Sequence, residues 1–292
     1  MRIRKARLAS GMAAVTAAAA LLASGGTPAH QAHHQAHHQP SARFLAQARI
    51  ALARYLRHDH PQLMPAHPLH RRGPSAVTLT ASYNWSGYAD TSGTDGTFTK
   101  VAGSWTTPTV TCTPEDTITS EWVGLDGIGN KTVEQDGTVG WCYEGTATYY
   151  TWYEMAPAKT VEVGKALQPG DQITASVTRS GTTYTLKLID TTNPANGFTV
   201  KKTCATTTCL DTSAEWIAER PSFSIGMAPL ADYGTWTLTG GTETAGGKTG
   251  TIGSYGTVDE IEMVDATDHY VLSMPSALTG NNSFTTTWEN SY

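Results

Sequence analysis

An all-β fold is predicted for most of this 292-residue chain, from residue 76 to residue 292. Turn-forming Gly, Asn, Asp and Ser recur there about every ten residues, for example at residues 91–93 and 169–171. The runs between the turns alternate in polarity, as in residues 173–177 and 184–189, and carry no sustained helical period. Short strands at this spacing indicate a β-sandwich or barrel, with long paired sheets curved over a concave face.

Charge divides the chain into two parts. Residues 1–75 hold ten of the 20 Lys and Arg, one of the 25 Asp and Glu, and nine of the ten His. The rest holds ten basic and 24 acidic residues. Phosphate binding needs clustered Lys and Arg, so nucleic acid is not an expected partner. The acidic part is long enough to be one domain with a large core.

Residues 1–29 are predicted to be a secretory signal peptide. Basic residues come first, an Ala/Leu-rich run covers residues 12–23, and residues 27–29 offer a small-residue cleavage site. The apolar run is short for a membrane span, and nothing later is longer or more apolar. We therefore expect a secreted, extracellular protein without a membrane anchor.

Residues 30–75 are predicted to be a His/Arg-rich pro-segment. Five His lie within residues 30–38, and residues 42–56 place their apolar side chains on one face of a basic helix. A membrane-surface helix and a disordered linker are alternatives, and metal binding by the His tract is a weaker one. Beside an acidic domain, we favour an inhibitory helix that makes the pro-segment the chain's own intramolecular inhibitor.

Four cysteines, Cys112, Cys142, Cys204 and Cys209, all lie in the acidic part. An even count in a secreted chain predicts two disulfides, for which three pairings exist. The simplest joins Cys204 to Cys209 across a hairpin tip and Cys112 to Cys142. A metal site is less favoured, because no His or second Cys pair lies near Cys204 and Cys209. We expect no metal.

Aromatic and acidic side chains mark a candidate binding face. Alternate residues of a strand point to opposite sides, so Tyr150, Trp152 and Glu154 are predicted to share one face. An aromatic beside a carboxylate on a concave face is typical of substrate binding, whereas a single Trp more often fills a core.

Several hydrolytic chemistries are disfavoured by composition. The acidic part has only His269 and no Gly-x-Ser-x-Gly, so serine and zinc hydrolysis lack a base or ligands. Carboxylate chemistry remains, either glycoside hydrolysis by a carboxyl pair or acid proteolysis through an activated water. A carbohydrate-binding module that uses the aromatic face is the non-enzymatic alternative.

Seven short motifs choose between these alternatives. They are Asn-Trp-Ser-Gly at 84–87, Trp-Thr-Thr-Pro at 105–108, Trp-Val-Gly-Leu-Asp-Gly at 122–127, Glu-Gln-Asp-Gly at 134–137, Trp-Tyr-Glu-Met at 152–155, Pro-Gly-Asp at 169–171 and Ala-Glu-Trp-Ile-Ala-Glu at 214–219. In this order they resemble the glutamic peptidases, or eqolisins, over nearly all of residues 83–290. The resemblance implies a bacterial secreted member with a concanavalin-like β-sandwich of two curved antiparallel sheets. It also implies an acid endopeptidase that acts on polypeptide substrates without a cofactor.

The same resemblance implies that Gln135 and Glu215 form a catalytic dyad. It also implies that four residues support the dyad: Trp122, Asp126, Trp152 and Glu154. Tyr150 stands where the fungal pattern often has an acid, and we expect it to contribute to substrate binding. The segment between Gln135 and Trp152 carries Cys142 and is longer than in that pattern.

The residue types suit acid proteolysis. An ionised Glu215 can take a proton from water and later return it to the leaving amine. The Gln135 amide does not titrate and can stabilise the oxyanion, a contribution of about 3–4 kcal/mol for one such donor. A carboxylate base suits acid, where a His would be protonated. Glu219, on the same predicted strand face as Glu215, is the alternative base. We expect a monomer.

Overall fold

The computed structural model describes residues 62–66, 77–163, 167–204, 209–223 and 226–292. All of them lie in one compact unit, Pro40–Tyr292. The predicted signal peptide, the His tract and the amphipathic stretch at 42–56 lie outside the described residues. The described part consists of β-strands and one short 3-10 helix, which confirms the all-β prediction.

In chain order the strands are β1 (Pro65–Ala66), β2 (Thr78–Ser82), β3 (Trp85–Thr91), β4 (Phe98–Thr106), β5 (Thr117–Leu125), β6 (Glu134–Tyr143), β7 (Thr146–Met155), β8 (Val161–Glu162), β9 (Gln172–Ser180), β10 (Thr183–Asp190), β11 (Phe198–Thr203), β12 (Ser213–Glu219), β13 (Ser222–Phe223), β14 (Gly226–Met227), β15 (Thr235–Ala245), β16 (Lys248–Thr251), β17 (Thr257–Val264), β18 (Val271–Pro275) and β19 (Phe284–Trp288). The 3-10 helix Pro194–Asn196 lies between β10 and β11.

Strand pairing builds two layers. The first runs β8–β7–β6–β5–β12–β3–β17–β2–β1, with β17 and β2 parallel and the other pairs antiparallel. The second is antiparallel and runs β11–β10–β9–β4–β15–β16. Residues 235–238 of β15 pair instead with β19, which continues through β18 to β17. The result is a β-sandwich whose two layers are joined along one side.

The main core lies between the layers. On the first layer, Tyr88, Val123 and Trp216 point inward and are buried with apolar side chains of β4, β9, β10 and β15. The indole Nε1 of Trp216 donates to Ala102 O of β4 at 2.9 Å, which ties the layers together. Because side chains alternate along a strand, the neighbours of these residues point to the other face of the first layer.

Glu121 is one of the carboxyl groups buried on the inward face of the first layer. Glu121 on β5 accepts hydrogen bonds from Thr119 Oγ1 at 2.9 Å and Thr138 Oγ1 at 3.2 Å. Thr138 in turn accepts from the indole Nε1 of Trp105, on the opposite layer, at 3.1 Å. The sequence did not predict this network, because alternation alone places a charged residue outside.

Both disulfides have the simplest of the three possible pairings. Cys112 is bonded to Cys142, with 5.4 Å between their Cα atoms, and Cys204 to Cys209, with 6.3 Å. The first bond joins the segment before β5 to the end of β6. Over the part of the chain that the structure describes, no helix is long and apolar enough to cross a membrane.

Candidate active site

A row of residues crosses the outer face of the first layer. In cross-strand register, Glu215 on β12 lies beside Gly124 on β5, and Gly124 lies beside Gln135 on β6. Gln135 lies beside Glu154 on β7. Glu215 and Gln135 are therefore two strands apart, about 10 Å between backbones, and flank a residue without a side chain. We call these four residues the Gly124 row.

Gly124 is closely surrounded on the outer face, where no side chain would fit between its neighbours. A Cβ placed on it would lie 2.8 Å from the Trp122 ring, 3.2 Å from Gln135 Cβ and 3.3 Å from Glu134 O. Any larger residue would push into the candidate site from below. The sequence motif contained this glycine, but only the strand register shows that it lies between Glu215 and Gln135.

The Gln135 amide is held by Glu154. Gln135 Nε2 donates to Glu154 Oε2 at 2.7 Å, and the Thr160 hydroxyl donates to Glu154 Oε1 at 3.0 Å. Gln135 Oε1 is buried and accepts no hydrogen bond from any described residue. The second amide N–H of Gln135 is thus available to a water or a substrate carbonyl, and the amide oxygen can accept from a water.

Glu215 is completely buried in this structure. Neither of its carboxyl oxygens has a hydrogen-bond partner within the described part of the chain. Burial is the largest cause that raises the pKa of Glu215 well above its usual range, and the neighbouring Asp126 raises it further. Glu215 therefore holds its proton as long as water is kept out.

A second row, next to the Gly124 row, is mostly apolar. Ile217 lies beside Trp122, Trp122 beside Gly137, and Gly137 beside Trp152. These side chains belong to a buried group that we call the tryptophan cluster, formed by Trp85, Ala89, Trp122, Val133, Trp152, Ala156, Ile217 and Ile261. The rings of Trp85 and Trp122 meet edge to face, with 5.0 Å between their centroids.

The alternative base, Glu219, shares the outer face with Glu215, as the strand period predicts. It lies beside Trp85 and Ser120, two residues further along β12 than Ile217. Its Oε2 accepts a hydrogen bond of 2.8 Å from Trp122 Nε1. This bond ties Glu219 to the indole and away from the gap over Gly124.

Tyr150, Trp152 and Glu154 do share one face of β7, as predicted. Trp152 Nε1 donates to Thr138 O at 3.2 Å. Tyr150 lies on β7 two residues further from the Gly124 row than Trp152 does. The Tyr150 hydroxyl is 3.0 Å from Thr148 Oγ1. Its ring packs with Ile118, Trp141 and Phe223. Tyr150 is thus the most remote of the predicted supporting residues on β7.

Asp126 supports the site from behind. It follows β5 with a φ of 68°, and its carboxylate accepts the backbone N–H groups of Leu210, Asp211 and Thr212 at 2.8, 2.9 and 3.0 Å. These three residues lead directly into β12, which carries Glu215. The geometry makes Asp126 an anchor of that strand.

Sequence reasoning missed an acidic cluster around Asp126. Carboxyl oxygens of Asp126, Glu134 and Asp211 lie within 4.8 Å of one another, and all three residues are buried. Arg179 Nε lies 3.0 Å from Asp211 Oδ2, and several N–H and O–H donors already fill the Asp126 oxygens. Burial, with Asp126 and Asp211 nearby, raises the pKa of Glu134 well above its usual range. The cluster therefore fits a proton held by Glu134 better than a metal ion.

Comparison with known proteins identifies the family. The Peptidase A4 family model matches residues 83–288, which includes the Gly124 row and the tryptophan cluster. The chain belongs to the Peptidase A4 family. No curated protein matches this A4 peptidase.

Solved structures of glutamic peptidases share its fold. Scytalido-glutamic peptidase with a transition-state analogue inhibitor is 22% identical, with a TM-score of 0.58, covering 71% of this chain and 98% of that one. SCP-B, an eqolisin in complex with the tripeptide Ala-Ile-His, is 20% identical, with a TM-score of 0.55 and the same coverage. Aspergilloglutamic peptidase from Aspergillus niger is 26% identical, with a TM-score of 0.50, covering 59% of this chain and 99% of that one.

Together, the family and the fold confirm the resemblance noted in the sequence. This A4 peptidase is a glutamic endopeptidase built on the eqolisin β-sandwich. The family match favours peptide hydrolysis over glycoside hydrolysis and over a carbohydrate-binding module.

Proposed function

We propose that this A4 peptidase cleaves polypeptides in acid with a water activated by Gln135 and Glu215. One observation carries the proposal. The two side chains flank Gly124 on one sheet face, and each has buried polar atoms without partners among the described residues. Buried polar groups are normally hydrogen-bonded, so groups left unpaired here are available to a water and a peptide carbonyl.

In this proposal the water lies over Gly124. The ionised Glu215 takes one water proton as the water oxygen bonds to the peptide carbonyl carbon. A Gln135 N–H stabilises the resulting oxyanion, and Glu154 holds the amide in place for it. Glu215 then gives the proton to the leaving nitrogen as the C–N bond breaks.

The pH range in which the enzyme is active depends on how far water solvates the Glu215 carboxyl. Burial is the first cause of its raised pKa, so admission of water and substrate to the groove lowers that pKa toward the acid range. Activity should then rise with pH as Glu215 ionises. The lower limb of the pH profile reports this ionisation.

The chain's first 75 residues fit secretion as a zymogen. In this part of the proposal, residues 1–29 direct export, and the basic pro-segment, residues 30–75, covers the acidic peptidase domain at neutral pH. Carboxylates protonate near pH 4, which removes the attraction, while His charges near pH 6.5 and adds repulsion among basic groups. Self-processing is expected below about pH 5, with an extracellular monomer as product.

The dyad is tested by substitution in the full-length chain. Gln135→Ala and Glu215→Ala should each stay full length at pH 4 and leave casein intact, because each removes one half of the water-activating pair. Glu219→Gln is the matched control, since it alters the neighbouring carboxylate on the same strand face. It should process itself and cleave casein, without inhibition by pepstatin.

Thermal melts should show that all three variants fold. If Glu215→Gln kept substantial activity and Glu219→Gln lost it, the base would be Glu219 and the proposed dyad would be wrong.

A further inference from the structure

Residues 62–66 are bound to the sandwich through their backbone. Asn84 holds one stretch with both ends of its amide: Oδ1 accepts from Met64 N at 2.9 Å, and Nδ2 donates to Gln62 O at 3.0 Å. Tyr83 N donates to Met64 O at 2.8 Å, and Leu63 N donates to Gly127 O at 3.1 Å. Four hydrogen bonds thus hold a short extended segment through its backbone.

The segment continues as an added edge strand. Pro65 and Ala66 form β1, which pairs antiparallel with Ser82 and Ala81 of β2. Addition of a strand to a sheet edge is a general way for proteins to bind extended peptides. Main-chain bonds supply affinity, and pockets for particular side chains supply selectivity.

The side chain of Leu63 connects the segment to the candidate site. Leu63 packs against the tryptophan cluster, whose members Trp122 and Ile217 are adjacent in register to the Gly124 row. Pro65, by contrast, is exposed. The buried Trp85 Nε1 in the same cluster donates to no described residue, so the pocket retains one free polar group.

We propose that Asn84, the Gly127 carbonyl and the tryptophan cluster form a substrate subsite, which residues 62–66 occupy as a pseudo-substrate. The proposal rests on the proposed peptidase function of the adjacent row. Asn84 and Gly127 bind the peptide backbone. The aromatic and aliphatic walls around Leu63 select an aliphatic side chain at that position of the substrate and disfavour an acidic one, because burial of a charge in an apolar pocket is costly.

The first test uses the acid-processed enzyme and the peptide Gln-Leu-Met-Pro-Ala with blocked ends. Mass spectrometry should show that processing has removed residues 62–66. The peptide should then raise the KM for a quenched fluorescent substrate without changing kcat. It should also shift the tryptophan fluorescence of the enzyme, which reports binding even if catalysis uses other residues than Gln135 and Glu215.

Two analogues provide the control. Replacing the Leu by Asp should weaken inhibition at least about tenfold, since an apolar side chain is lost from the pocket. Replacing the Pro by Ala should leave inhibition unchanged, because Pro65 is exposed. Equal inhibition by all three peptides, no binding by any, or retention of residues 62–66 after processing would each overturn the subsite.

The second test uses the zymogen and leaves the peptidase residues untouched. Leu63→Asp should release the segment and start processing at a higher pH than in the wild type, whereas Pro65→Ala should process as the wild type does. If Leu63→Asp and wild-type zymogens processed at the same pH and rate, the segment would not occupy the subsite. Absence of casein cleavage by the wild type would instead argue against the proposed function.

Discussion

At the residue scale, the candidate site depends on Glu215, on Gln135 and on the glycine that lies between them. Glu215 and Gln135 come from strands that do not pair with each other, and β5 lies between them. With glycine at position 124, the strand between them carries no side chain of its own at this point of the outer face. Glu154 completes the geometry, because its bond to Gln135 Nε2 leaves Gln135 Oε1 directed elsewhere.

Gly124→Ala should therefore damage activity more than folding. The new Cβ would meet Trp122 and Gln135, so both must shift, and overpacking of this kind costs about 1–3 kcal/mol. We expect the kcat for a peptide substrate to fall at least about tenfold while the protein remains folded. Stopped assays at pH 4 and a thermal melt measure the two effects.

Gly93→Ala is the control for this change. A Cβ on Gly93 meets no atom within 4 Å, so the variant should match the wild type in both measurements. Full activity of Gly124→Ala would show that the gap over residue 124 is not where the water lies.

At the element scale, β12 is the strand whose position decides the site. It pairs with β3 on one side and β5 on the other, and it carries Glu215, Ile217 and Glu219 on the outer face. Its start is fixed by Asp126, which binds three consecutive backbone N–H groups just before the strand. Asp126 is thus an anchor for the strand that carries the proposed base, Glu215.

Asp126→Asn should loosen this anchor without a change of backbone conformation. Asn tolerates the left-handed φ of 68° at this position, but an NH2 group would replace one acceptor oxygen among N–H donors. Loss of hydrogen bonds to a buried charged group costs about 1.5–3 kcal/mol. We expect urea unfolding at pH 5 to show a loss of this size, together with reduced casein cleavage.

Asp268→Asn is the matched control, since Asp268 also has a positive φ, of 56°. Among the residues that the structure describes, its carboxylate accepts one long bond, of 3.4 Å, from the Tyr83 hydroxyl. It should change stability by no more than about 0.5 kcal/mol. Equal unfolding midpoints for Asp126→Asn and the wild type would show that the Asp126 charge does not hold the start of β12.

At the scale of the whole molecule, the sequence predicted what local periodicity controls. Strand alternation placed Tyr150, Trp152 and Glu154 on one face and Glu215 with Glu219 on another strand's outer face. The register that sets Glu215 opposite Gly124 joins segments about ninety residues apart, and no local pattern encodes it. The burial of Glu121 could not be predicted for a related reason. Its partner Thr138 lies on another strand, and Thr138 accepts a hydrogen bond from Trp105 on a third strand.

Several carboxyl groups are buried in the sandwich, and they make the stability of the fold depend on pH. Burial raises the pKa of Glu121 to about 7 and that of Asp211 to about 6. Burial, with Asp90 beside it, raises the pKa of Glu243 to about 9. Each of these groups binds its proton more tightly in the folded than in the unfolded chain. Their stabilisation is full below the unfolded pKa, 4.5 for the two Glu and 3.8 for Asp211, and is lost as pH rises through the folded values. The sandwich should therefore be most stable in acid.

Glu121→Gln isolates one of these contributions. With a pKa of about 7 in the folded chain against 4.5 in the unfolded chain, Glu121 should remove about 3 kcal/mol of unfolding free energy between pH 4.5 and pH 7. An amide does not titrate, so the variant should lose less stability than the wild type over this interval. Urea unfolding at half-unit pH steps measures the difference.

Asp95→Asn, at an exposed position, should leave the wild-type slope of stability against pH unchanged. If Glu121→Gln and the wild type showed parallel pH dependence, the proton lost on neutralisation would come from another buried carboxyl, and the Thr119–Glu121–Thr138 network would hold an ionised carboxylate throughout.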